Sequence, residues 1–69
     1  MREMKITVNG QLKSLAASAN LKTVIEQLSA GNSRVIAEVN GAVVKPSSWE
    51  KTVMKEGDTL ELVNLVGGG

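Results

Sequence analysis

Cysteine and histidine are both missing from this 69-residue chain. Without thiols there is no disulfide framework, no thiolate nucleophile and no cysteine-based metal site. Without imidazole the commonest general base at neutral pH and the commonest metal ligand are gone as well. Aromatic residues are almost as scarce: Trp49 is the sole ring, so a core has to be built from aliphatic side chains. Nor is there an excess of one charge. Eight Lys and Arg against seven Asp and Glu leave a net charge of +1, and the basic residues are scattered from Arg2 to Lys55. Nucleic-acid binding needs basic groups converging on phosphates, with stacking rings for single strands; neither is present. No apolar run approaches the ~20 residues that a membrane span requires, and the opening MREMKITVNG mixes charges with isolated apolar residues, unlike a signal peptide. These absences predict a cytoplasmic protein with no nucleic-acid partner, no membrane partner, no metal and no cofactor of its own.

What is present suits one small globular domain. Apolar residues make up 42% of the sequence, too many for a disordered chain, while the length allows a single core. Met4, Ile6 and Val8 alternate with Lys5, Thr7 and Asn9, the period of two of a half-buried strand. Asn9-Gly10 tolerates the positive φ values of a type I′ turn, which predicts a second strand over Gln11–Ala16. The period then changes. Leu21, Val24, Ile25 and Leu28 form one stripe of a helix of roughly ten residues, with Asn20 as its N-cap and Gly31 as its stop. Val35–Val39 reads as a third strand and Asn40-Gly41 as a second tight turn into Ala42–Val44. Pro46 ends that segment, and Ser47, Ser48 and Trp49 form a short turn or 3₁₀ piece. Glu56-Gly57-Asp58 is a tight turn with solvated carboxylates. It launches a strand over Thr59–Val66, with Leu60 and Leu62 on one face, Glu61, Val63 and Leu65 on the other, and Asn64 open between ending the inner row and leaving it.

The order ββαβ(β)β predicts an α+β fold, a four- to five-stranded mixed sheet packed on one helix. Its boundaries are a domain over residues 1–66 and a tail over 67–69. Three glycines cost backbone entropy when ordered and contribute no packing, so the fold gains nothing from Gly67, Gly68 and Gly69. They do allow entry into a narrow channel. Extended, they carry the Gly69 carboxylate on the order of 10 Å beyond the sheet, with no Cβ to collide with a partner's walls. A carboxylate displayed in this way can be activated as an acyl-adenylate by another enzyme; the bland alternative is an inert terminus.

The order of elements, the length, the Gly-Asp turn before the last strand and the glycine end together resemble the ubiquitin-like sulfur carriers of the β-grasp fold. Within that group the chain is most similar to the ThiS type, which serves thiamin biosynthesis. The residues that carry the likeness are Ile6-Thr7-Val8-Asn9-Gly10, Val39-Asn40-Gly41 with Val43-Val44, Trp49, Glu56-Gly57-Asp58 and Val66-Gly67-Gly68-Gly69. In many ThiS sequences proline and then arginine follow the short valine strand directly; here Lys45 intervenes and Ser47 follows Pro46.

The resemblance implies a carrier, not an enzyme, that is monomeric when free. A ThiF-like adenylyltransferase would activate Gly69 with ATP, a cysteine desulfurase would supply sulfur, and thiazole synthase (ThiG) would accept it from the thiocarboxylate. Gly67 and Gly68 would thread the tail. Val63, Leu65 and Val66 are the candidate docking residues, unless the Lys45–Lys55 segment covers that face of the sheet. Two other readings stay open: a molybdopterin-synthase small subunit or tRNA-thiolation carrier with the same chemistry, and a ubiquitin-like binding module whose tail is inert. Trp49 is expected to anchor the core or a loop rather than to serve as a ligand platform.

Overall fold

A computed structural model describes residues 2–29 and 34–65. Strand β1 (Glu3–Val8) and strand β2 (Gln11–Ala16) form an antiparallel hairpin, followed by helix α1 (Leu21–Leu28), strand β3 (Val35–Val39), strand β4 (Ala42–Val44), a 3₁₀ turn over Pro46–Lys51 and strand β5 (Thr59–Asn64). The sheet order is β2-β1-β5-β3-β4. β5 lies parallel to β1 and antiparallel to β3, so the last strand in sequence is the middle one in space.

Both Asn-Gly pairs do what their backbone preferences suggest. Asn9 and Asn40 have φ of 48° and 52°, and Gly10 and Gly41 follow at 84° and 88°, the paired positive values of a type I′ hairpin turn. α1 is capped by Asn20, whose side-chain oxygen accepts from Thr23 N at 2.8 Å. It spans 8 residues where roughly ten were expected, ending with the apolar stripe at Leu28 and Ser29 as its C-cap. The Ser29 backbone N–H and its hydroxyl both donate to the Ile25 carbonyl, a local bond that closes the last turn. Gly31, the expected stop, lies outside the described residues.

Leu21, Val24 and Ile25 of α1 meet Met4, Ile6, Val8, Val35, Ala37 and Leu60 of the sheet in one core, closed by Trp49 and Met54. The Trp49 indole N–H donates to the Val44 carbonyl at 2.9 Å, so the sole aromatic ring is a buried anchor. Asp58 corrects the expectation of a solvated turn carboxylate. It is only 7% exposed; its side chain accepts from Lys55 N at 2.8 Å and from Asn40 Nδ2 at 3.0 Å. The turn beneath it needs Gly57 at φ 85°, where an L side chain is strained.

Candidate functional site

The glycines Gly67, Gly68 and Gly69 and the docking candidate Val66 lie outside the described residues, so the site is built from the strand that leads to them. β5 is held on both edges. Towards β1, Thr7 N donates to the Asp58 carbonyl and Asn9 N to the Leu60 carbonyl, both at 3.0 Å. β1 ends at Val8, yet the ladder goes one step further through a side chain: Asn9 Oδ1 accepts from Leu62 N at 2.8 Å and Asn9 Nδ2 donates to the Leu62 carbonyl at 3.3 Å. Towards β3, Asn40 does the matching work. Its backbone N–H donates to the Thr59 carbonyl at 2.8 Å, its Oδ1 accepts from Thr59 N at 2.9 Å, and its Nδ2 reaches Asp58.

The two hairpin turns thus clasp the two ends of one strand. Sequence reasoning treated Asn9 and Asn40 as turn formers only. The available signal was the choice of asparagine in both pairs, because an amide carries its donor and its acceptor on separate atoms and can bond two backbone groups at once.

Strand β5 ends at Asn64, and Val66, the predicted end, lies outside the described residues. Leu65 N still donates to the Arg34 carbonyl at 2.9 Å. Inward, Leu60 is fully buried and Leu62 half-buried, while Val63 and Leu65 on the outer face are 51% and 47% exposed. Asn64 stays in register with Val35, on the inner row. The Lys45–Lys55 segment does not cover the outer face. It packs on the helix side, where Leu21 N donates to the Thr52 carbonyl, Met54 N to the Ala19 carbonyl, and Asn20 bridges Val53.

An open cleft of about 400 Å³ lies between the last turn of α1 and the inner face of the sheet. Lys13 is its one ionisable residue among the described lining, so it holds no carboxylate pair for acid–base work. Among the described residues no group of three or more His, Cys, Asp or Glu could hold a metal, and no helix is long and apolar enough to cross a membrane.

A single helix grasped by a mixed sheet, with the final strand in the centre, is the architecture of a ubiquitin-like β-grasp domain. The crystal structure of a thiamine biosynthesis protein (ThiS) from Geobacter metallireducens superposes with a TM-score of 0.81 at 32% identity, covering 96% of this chain and 100% of that one. Residues 6–69 match the ThiS family, and the chain belongs to it. The sulfur carrier protein ThiS of Escherichia coli is 26% identical over 66 residues, 96% of this chain and 100% of that protein. A thiazole synthase of Paramagnetospirillum magneticum is 32% identical over 66 residues, which are 96% of this chain but 20% of that protein. The chain thus spans about a fifth of the length of that relative.

Proposed function

We propose that this protein is a sulfur carrier for formation of the thiamin thiazole, working through the Gly69 carboxylate. The observation that carries the reading is the ThiS family match, which runs through the glycines to residue 69. The described structure supports it physically: β5, the strand that leads in sequence to the tail, is held on both edges. The cytoplasm, where ATP is available, is the compartment that suits this chemistry.

The sequence of steps follows from the group being a carboxylate. One of its oxygens attacks the α-phosphorus of ATP within a ThiF-like adenylyltransferase, giving an acyl-adenylate and releasing pyrophosphate. The terminal sulfur of a cysteine persulfide, charged by a desulfurase, then attacks the acyl carbon and AMP leaves. A second thiol cleaves the resulting acyl disulfide, which frees the thiocarboxylate and leaves a protein disulfide. Gly67 and Gly68 let the end enter each partner's channel, while Val63, Leu65 and Val66 form the apolar docking surface at its root.

Thiazole synthase is the acceptor favoured by the relatives. In two proteins of that name a segment similar to this whole domain makes up about a fifth of the chain. Carrier and acceptor joined in one polypeptide meet at high effective concentration, as a transfer pair requires.

The test is intact mass after incubation with a ThiF-like enzyme, ATP and a sulfur donor. Exchange of one oxygen for sulfur adds about 16 Da at the C-terminus, and deletion of Gly69 abolishes the gain. An unchanged mass beside a demonstrably active partner would refute the reading.

A further inference from the structure

The outer face of the sheet carries a pairing that works against the fold. In the β3–β5 ladder Glu38 and Glu61 stand directly opposite each other. The bonds from Asn40 N to the Thr59 carbonyl and from Leu65 N to the Arg34 carbonyl set the alternation along this ladder. They make Glu38–Glu61 a hydrogen-bonded pair, with Cα atoms about 5.5 Å apart. Like charges at that spacing destabilise a sheet. No described cation offsets the repulsion, since neither carboxylate takes part in an ion pair.

Aliphatic side chains flank the two carboxylates on the same face, towards β4 and towards the end of β5. Val43 stands opposite Glu38 on β4 and is 64% exposed. Ile36, 38% exposed, pairs directly with Val63 one step along the ladder, and Leu65 follows. An exposed aliphatic patch beside the strand that leads to the glycines marks a protein-interaction surface, and the two carboxylates at its edge call for a cation from the partner.

We propose that this face receives an arginine of the partner protein, seated between Glu38 and Glu61, with partner apolar groups laid over Val43, Ile36 and Val63. A guanidinium is planar and presents several donors in a fork, so one group can bond both carboxylates at once. Covering the aliphatic rim excludes water and strengthens the pairing. The repulsion carried by the free protein becomes attraction in the complex, and a partner lacking the cation meets two carboxylates with nothing to balance them. The choice of partner rests on the carrier reading above.

The test uses the full chain against the ThiF-like adenylyltransferase as the probe, with affinity measured by calorimetry at low and high salt and melting followed in parallel. The E38Q/E61Q double variant is expected to melt no lower than the unaltered protein. It should bind the adenylyltransferase about tenfold more weakly, with a flattened salt dependence. E61Q alone should give an intermediate loss, and V63S should weaken binding without changing its salt dependence. If the double variant binds as tightly as the unaltered chain while V63S does not, the face docks without a cation; the inference is then overturned and the carrier reading stands. If the unaltered chain is neither bound nor sulfurated by an active adenylyltransferase, both fall.

Discussion

Replacing Asn40 probes the clasp that holds the root of the tail. Its side chain makes two bonds, accepting from Thr59 N at 2.9 Å and donating to Asp58 at 3.0 Å, and its backbone sits at φ 52°. In Asn40→Ala the bond to the amide is worth about 1 kcal/mol. The bond to a carboxylate that is 7% exposed is worth somewhat more, about 1.5 kcal/mol, because Asp58 is left a donor short. Alanine in the left-handed region adds about 1 kcal/mol of strain. The expected loss is about 3.5 kcal/mol, which for a domain of this size lowers the melting temperature by roughly 14–28 °C.

Asn40→Gly removes the same two bonds without the strain and should fall between the variant and the parent. Urea unfolding followed by Trp49 fluorescence measures both, since that ring is buried in the native core and reports global unfolding. Should both variants lie within about 0.5 kcal/mol of the parent with unchanged m-values, the clasp contributes nothing and the reasoning fails.

Asn9→Ala removes two more exposed bonds to Leu62 and places alanine at φ 48°, so it should cost about 2–3 kcal/mol, with hydrogen exchange rising first at the Leu62 amide. Leu60→Ala opens a cavity at a fully buried position in the middle of the core, and denaturant unfolding should register a loss of about 3–4 kcal/mol. Gly57→Ala meets no atom within 4 Å of its new Cβ, so its penalty is backbone strain alone, about 1 kcal/mol; a much larger loss by calorimetry would show that something other than φ is at stake.

The elements themselves were legible because each is written in short-range chemistry. Alternation in Met4–Val8, the four-residue stripe of α1, the Asn20 cap and the two Asn-Gly turns act within a few residues, and each appears where the local pattern put it. The inward turn of Leu60 and Leu62 was legible for the same reason. The family likeness was readable too, since its motifs lie along nearly the whole chain, and residues 6–69 match the ThiS family.

Other features depend on residues far apart in sequence. The Asn9–Leu62 bonds span 53 positions and the Asn40–Asp58 bond 18; no local pattern encodes them, because an asparagine in a turn looks the same with or without a strand beside it. Asp58 read as solvated since its neighbours are polar, and half of its partnering comes from Asn40, 18 positions away. The Lys45–Lys55 segment was equally compatible with either face of the sheet until its bonds to Ala19 and Leu21 fixed it on the helix side. The sequence by itself therefore determined the pieces, their turns and the family. Tertiary structure alone decided that β5 lies in the middle, parallel to β1, that two turn asparagines clasp it, and that Glu38 faces Glu61, because register between distant strands is set when the whole apolar face closes at once.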